Sequence, residues 1–260
     1  MLQPIQTISI IGAGNVASQL AQVLADKGIE IISVTSKTNA SAQVLAGKLN
    51  CEVISDISQI PQTDLVLVCV DDDEIQVVIN QIPANLSVAY TSGSVEIQSI
   101  SPRENLGVFY PLQTFSKTRK VEMFEVPFLI EANNSYFAQS LFDLAWKISR
   151  NVQFMNSEQR KKIHVGAVMV NNFTNHLVYL ADQYFKENEL DGKILQPLLK
   201  ETFAKLESAS AYDAQTGPAR RNDQEIIAKH LQMLEGKTKE IYKVISESIL
   251  KTYSNKNQND

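Results

Sequence analysis

The residues with the clearest chemical potential stand near the start, in "ISIIGAGNVASQLAQVLADKG", residues 8–28. Gly12, Gly14 and Ala17 form a G-x-G-x-x-A pattern, with Ala13, Asn15 and Val16 between them. Glycine at 12 permits a tight turn, glycine at 14 lets a pyrophosphate approach the backbone, and alanine at 17 keeps the following helix close to its strand. Apolar residues at Val16, Leu20, Val23 and Leu24 follow a 3.6-residue period, so a helix starts here and points free N–H groups and a positive dipole end at a phosphate. Taken alone, the pattern also fits an ordinary strand-to-helix turn.

The neighbouring elements favour the phosphate cradle. A second strand, "IEIISVTS", follows Gly28, then a helix "NASAQVLAGKL", a short strand "CEVI" and an apolar strand "DLVLVCV". This order predicts a doubly wound parallel sheet, the Rossmann arrangement. At the end of the second strand, where NAD enzymes carry an acidic residue for the ribose 2′-OH, the chain has Thr35, Ser36 and Lys37. Hydroxyls and an ammonium suit a 2′-phosphate, so NADP is expected as cofactor, with NAD second; the plain alternative is that Lys37 is a solvated loop cation. Asp71 to Glu74 read as a helix start, because acidic residues suit an N-terminus. Thr91, Ser92 and Gly93 sit at the carboxyl end of the strand in "SVAYTSGS", where ligands of open α/β sheets bind. Val70, after the apolar run, is placed at the same cofactor edge. Tyr110 ends a further strand in "LGVFYPLQTFS"; "VPFLIEA", a helix "SYFAQSLFDLAWKIS" and a strand "VQFM" complete a dinucleotide-binding domain, 1–155.

From Ser157, taken as a helix N-cap, the texture becomes helical, and 156–260 are expected to form an all-α substrate and dimerisation domain. The segment "KIHVGAVMVNNFTNHLVYLADQYF" is apolar nearly all round, so other helices or a partner subunit must cover it. Further helices are expected over 191–209, 222–235 and 237–252, with a disordered tail "SNKNQND". At 100° per residue His164, Asn171 and Asn175 share a stripe with Asn172 beside it, facing either the cofactor cleft or an interhelical contact. In "TGPARRND" a Gly-Pro turn leads to Arg220 and Arg221 at an expected helix start, a costly place for cations. This reads as an arginine site for an anion or as a salt-bridged turn.

The 260 residues carry a net charge of −5 and 44% hydrophobic residues, which excludes a basic nucleic-acid surface and leaves enough for a sizeable core. No apolar run reaches a membrane span of roughly 20 residues, and "MLQPIQT" does not read as a signal peptide. Cys51 and Cys69 show no metal spacing, so no metal is expected, and both read as reduced thiols of a cytoplasmic protein.

Nearly the whole chain resembles Rossmann-like proteins with a C-terminal domain of unknown function 2520. They are related to deazaflavin-dependent NADP oxidoreductases and more distantly to pyrroline-5-carboxylate reductases. "IIGAGNVASQLAQVL" matches the glycine motif and "VCVDDDEI" a V-x-D-D-x-I element. "YPLQTFS" is similar to H-P-L-Q-T-F, with Tyr110 in place of histidine. "HVGAVMVNNF" places a family histidine and asparagine at His164 and Asn172, and "TGPARRND" resembles T-G-P-x-x-R-G-D, with Asn222 in place of glycine. The resemblance implies an oxidoreductase with a helical dimerising domain and no defined substrate. The expectation is hydride transfer between NADP(H) and a small, anionic substrate, with His164 as proton donor, Asn172 orienting the substrate and Arg221 binding its anion. The alternative is an NADP-binding sensor without turnover.

Overall fold

A computed structural model of the protein describes residues 4–254. The strands are β1 (Thr7–Ile11), β2 (Glu30–Thr35), β3 (Glu52–Val53), β4 (Leu65–Val68), β5 (Val88–Tyr90), β6 (Leu106–Pro111), β7 (Phe128–Ala132) and β8 (Val152–Phe154). They form one sheet in the order β3-β2-β1-β4-β5-β6-β7-β8. Every pairing is parallel except β6 with β7. The chain leaves β1 toward β2 and β3, then returns to β4 on the other side. This reversal opens a crevice beyond the carboxyl ends of β1 and β4, where such sheets bind ligands.

The sequence of β4 explains why the sheet is covered on both faces. Leu65 and Leu67 point into one core with Leu20, Leu24 and Phe137; Val66 and Val68 point into the other with Ile75, Ile79 and Val108. Side chains alternate across a strand, so a continuous apolar run serves two cores. Helices α1 (Asn15–Asp26), α2 (Asn39–Leu49) and α4 (Ser135–Trp146) contribute to the first core, and α3 (Ile75–Gln81) to the second. The acidic run starts α3 as expected, through a single 3-10 turn at Asp72–Glu74.

Helix α5 (Ser157–Ala167) begins one residue earlier than expected. Asn156, rather than Ser157, is the N-cap: its side chain accepts from the Gln159 N–H at 2.9 Å, and the Gln159 side chain accepts from the Asn156 N–H at 3.1 Å. The reciprocal pair satisfies two helix-end donors at once, which a cap at Ser157 does not. A π-helical turn, Val168–Phe173, continues from α5. Its wider turn breaks the 100° phase, so the stripe expected through His164, Asn171 and Asn175 does not hold. Within its own compact unit the surface expected to be covered is open: Val165, Met169, Val170 and Phe173 are all exposed.

By contact the residues up to Phe173 form one compact unit and those from Thr174 a second. The second holds α6 (Thr174–Glu187), a 3-10 turn (Gly192–Leu195), α7 (Gln196–Ser208), a four-residue α8 (Ala211–Ala214), α9 (Gln224–Met233) and α10 (Gly236–Ser254). The helices expected over 191–209, 222–235 and 237–252 are present, α8 is additional, and the expected disordered tail lies, after Ser254, outside the described residues. Among the described residues no helix is long and apolar enough to cross a membrane.

Candidate active site

The glycine turn is closed by its neighbours. The Gly12 N–H donates to Thr35 O at 2.7 Å, and the Cys69 N–H to Ile11 O at 2.7 Å, tying the ends of β1, β2 and β4 together. Gly12 adopts φ +113°, and a Cβ there would lie 2.1 Å from the Cys69 carbonyl oxygen, so only glycine fits. Gly14 differs: it takes an ordinary φ of −76° as N-cap of α1, and a Cβ there would meet nothing within 4 Å. No side chain caps α1 and no acidic residue stands in its first turn, so the end formed by Gly14, Asn15 and Val16 is free to receive an anion.

A cleft of about 800 Å³ opens beside this turn, lined by Gly12, Ala13, Gly14, Ser36, Lys37 and Val70 among others. It therefore gathers most of the residues expected at the cofactor. Thr35, which also lines it, keeps a buried hydroxyl with no hydrogen-bond partner. A buried orphan hydroxyl beside a free helix end fits the donor and acceptor needs of a nucleotide ribose and phosphate. One expectation changes here. The end of β2 carries no carboxylate of its own, but Glu74, from the turn before α3, reaches across and forms an ion pair with Lys37. The pair holds the Lys37 ammonium above its ordinary pKa.

Cys69 links the cleft to the next strand end. Burial pushes its thiol up to about 12, offset in part by a hydrogen bond with Thr91, so it stays protonated and is no nucleophile near neutrality. Ser92 is buried, and its hydroxyl accepts from the N–H groups of Ser94 at 3.1 Å and Val95 at 3.0 Å. Its side chain therefore builds the turn after β5. Ser94 in turn donates to Asp72.

Beyond that turn, Tyr110 at the end of β6 meets His164 from α5, with the hydroxyl 3.0 Å from Nδ1. His164 is half-buried and this ring nitrogen engages a side chain rather than backbone, unlike a core histidine held by carbonyls. Burial, then the Asp72 carboxylate, raise the Tyr110 hydroxyl above its usual range, with Arg160 opposing.

Arg160, one turn before His164, is the largest fully buried side chain. It pairs with Glu131 of β7 and donates to Val95 O. Ser157 donates to the same Glu131 at 2.8 Å and accepts from the Ile97 N–H at 3.1 Å. This network fixes α5 to the sheet and to the turn after β5, and so sets where His164 stands. Sequence reasoning missed Arg160, Glu131 and Glu74 as parts of this site. The available signal for Arg160 was its i, i+4 relation to His164, which puts both on one helix face.

Asn172 lies exposed in the π-helical turn, accepting from Asn171 Nδ2 at 3.4 Å, and is not brought to the Tyr110–His164 pair. Arg221 belongs to the second unit, is exposed, and its side chain has no partner among the described residues. It does not open a helix: α9 starts at Gln224 with Asp223 as N-cap, accepting from the Ile226 N–H at 3.1 Å, so the expected dipole cost is absent. Arg220 stacks over Tyr253 at 4.0 Å. Within the second unit, Pro218 and Ala219 of the same turn line an apolar cleft of about 650 Å³ together with Tyr184, His230 and Tyr242. Among the described residues no three His, Cys, Asp or Glu side chains come together to hold a metal.

Residues 7–90 match the family model described as "NADP oxidoreductase coenzyme F420-dependent", and residues 126–249 match the domain of unknown function DUF2520. The comparison with curated proteins finds no match. Among solved structures, a Bacteroides fragilis protein ascribed an NADP oxidoreductase function is 35% identical, with a TM-score of 0.88, over 96% of this chain and 100% of that one. A Thermotoga maritima protein is 19% identical, with a TM-score of 0.71, over 96% and 99%. The 1-pyrroline-5-carboxylate reductase of Streptococcus pyogenes is 13% identical, with a TM-score of 0.64, over 94% and 98%. The last two share the fold alone.

Proposed function

The chain belongs to the family of Rossmann-like proteins that carry a C-terminal domain of unknown function 2520, and on that premise we propose that it transfers hydride between NADP(H) and a small anionic substrate. The observation that carries the proposal is the continuity of one sheet edge. The open space at Gly14, the cleft beside it and the Tyr110–His164 pair all stand at the carboxyl ends of β1, β4, β5 and β6.

In this reading residues 1–155 bind the dinucleotide and 156–260 supply the substrate side and the dimer contact of a cytoplasmic homodimer. The backbone at Gly12, Ala13, Gly14, Asn15 and Val16 holds the pyrophosphate. Val70 lines the cleft, and Thr91 and Ser92 flank the nicotinamide end. NADPH supplies the hydride. His164 gives a proton to the substrate, the general acid role that an imidazole can fill.

NADP is preferred over NAD because Ser36 and Lys37 offer a hydroxyl and an ammonium to a 2′-phosphate. The Lys37–Glu74 pair works against this: a 2′-phosphate must displace the Glu74 carboxylate from Lys37. Calorimetry with both cofactors on the wild type and Lys37→Ala tests it. A preference for NADP that the substitution removes supports the assignment; equal affinities unchanged by the substitution overturn it.

The activity itself is tested by following NADPH absorbance with a panel of small carbonyl and imine acids. Turnover of one or more, reduced by roughly two orders of magnitude in His164→Ala with NADPH affinity retained, is the expected result. NADPH binding without oxidation of any of them counts against an enzyme.

A further inference from the structure

Gly93 touches both members of the Tyr110–His164 pair. A Cβ at Gly93 would lie 2.7 Å from His164 Nδ1, 2.7 Å from Tyr110 Cζ and 2.9 Å from Tyr110 Cε1. Real Cβ atoms do not approach that closely, so with any other residue at 93 one of the rings must move. The two rings meet edge to face, with centroids 6.0 Å apart.

We propose that Gly93 and Tyr110 are positioning residues for His164: Gly93 leaves the space in which the Tyr110 hydroxyl meets Nδ1, and that hydroxyl holds the imidazole in the tautomer that carries its proton on Nε2. This rests on the reading of His164 as the group that meets the substrate, and adds which ring atom does so and what fixes it.

A neutral imidazole has one donor and one acceptor nitrogen, and the partner of one nitrogen decides the state of the other. Among the described residues the only hydrogen-bonding partner of the Tyr110 hydroxyl is His164 Nδ1. A proton on Nδ1 would leave the phenol proton without an acceptor at a half-buried position, an arrangement that folded proteins avoid. The phenol also keeps its proton, because burial and the Asp72 carboxylate outweigh Arg160. Nδ1 therefore accepts and Nε2 donates. The substrate must offer Nε2–H a lone pair, which selects a carbonyl oxygen or an imine nitrogen over a group that only donates; as Nε2 passes its proton on, Nδ1 takes the Tyr110 phenol proton, so the ring stays neutral and the phenolate is reprotonated from solvent.

The arrangement is set from three elements. Tyr110 ends β6, Gly93 stands in the turn after β5, and His164 is carried by α5, whose first turn is pinned through Arg160 and Ser157 to Val95 and Ile97 after β5 and to Glu131 of β7. A ring held on one side by a hydroxyl and on another by bare backbone has little freedom to turn.

Imidazole nitrogen–proton correlation spectra of the ¹⁵N-labelled full chain test the proposal directly. The chain has 3 histidines, and loss of signals in His164→Gln assigns the ring. The wild type at neutral pH is expected to show His164 as the Nε2–H tautomer. Tyr110→Phe, with its fold checked by circular dichroism, is expected to turn that pattern into a tautomer mixture, and Gly93→Ala to do the same. Turnover should fall about tenfold to a hundredfold in Tyr110→Phe with NADPH affinity unchanged, the size expected for a displaced reacting group. A wild-type ring in the Nδ1–H form overturns the proposal, and that spectrum needs no variant to fold. An unchanged His164 pattern in Tyr110→Phe overturns it equally. Failure of the hydride-transfer reading looks different: no turnover with any substrate while the Nε2–H pattern and its dependence on Tyr110 persist.

Discussion

Gly12 and Gly14 sit two residues apart in one motif, yet the structure requires them for different reasons. At Gly12 the backbone has φ +113° and the neighbouring Cys69 carbonyl leaves 2.1 Å for a Cβ. Gly12→Ala is therefore expected to cost about 1–3 kcal/mol from backbone strain alone, lowering Tm by several degrees with or without nucleotide. At Gly14 φ is −76° and nothing lies within 4 Å of a Cβ, so Gly14→Ala should leave the fold intact. Its methyl would occupy the approach of the pyrophosphate, so NADPH affinity should fall. Calorimetry and thermal unfolding of both variants separate the two roles; wild-type NADPH affinity in Gly14→Ala would place the pyrophosphate elsewhere. Cys69 adds a dependence on pH. Its folded thiol titrates at about 12, above the ordinary value of 9.0. Between these values the unfolded chain has lost a proton that the folded chain keeps, so stability falls as pH rises through that window and is unaffected below it. Denaturant unfolding from pH 8 to 11 should show the decline, and Cys69→Ala should flatten it. At this scale the two glycines of the motif were legible because their task is local. The clearance at Gly93 and the reach of Glu74 were not, because the atoms that give them meaning, Tyr110, His164 and Lys37, are distant in sequence.

Helix α5 owes its position to a buried charge pair. Arg160 is fully buried and Glu131 nearly so, and the two bond directly while Ser157 and Val95 O take further hydrogen bonds. Removing one partner of such a pair leaves an uncompensated buried charge, which typically costs about 3–5 kcal/mol. Arg160→Met is expected to lower stability by that order, and Arg160→Met with Glu131→Leu to recover much of it. Chemical denaturation measures both, and a double variant no more stable than the single one would mean that the lost hydrogen bond from Arg160 to Val95 O, rather than the unpaired charge, dominates. The helix as an element was legible in the sequence, and its details were not. Asn156 and Ser157 are both good caps, and the deciding residue is Gln159, whose side chain closes the box only onto Asn156. Arg160 was hidden in a run with Lys161 and Lys162. The run reads as a solvated face, although Lys162 pairs on the surface with Glu158 while Arg160 points inward. The π-helical turn at Val168–Phe173 follows from no residue preference visible along the chain, and it undid the polar stripe argued from ideal helix phase.

At the scale of the whole chain, the change from strand-rich to helical sequence was legible because period 2 and period 3.6 patterns differ plainly, and the order β-α-β-α-β constrains a sheet to few topologies. The antiparallel turn of β7 against β6 was not legible, since buried strands of either direction read as the same apolar run. The same reasoning leads to the assembly. An all-round apolar helix must be covered by something, and within its own compact unit it is not: Val165 is 61% exposed, Met169 58%, Val170 71% and Phe173 57%. The second unit, taken by itself, presents its own apolar cleft lined by Leu180, Tyr184, Met233 and Ile245. Clustered apolar exposure of this kind marks an interface, and identical subunits most often meet by twofold symmetry. Light scattering coupled to gel filtration is expected to give twice the chain mass of 29.0 kDa at micromolar concentration. A variant with Met169→Glu and Val170→Glu should shift the mass toward one chain. It should do so without loss of secondary structure, because charges at positions already exposed cost a folded monomer little. A wild-type chain that runs as a monomer at every concentration would mean that these side chains stay solvated or serve another partner.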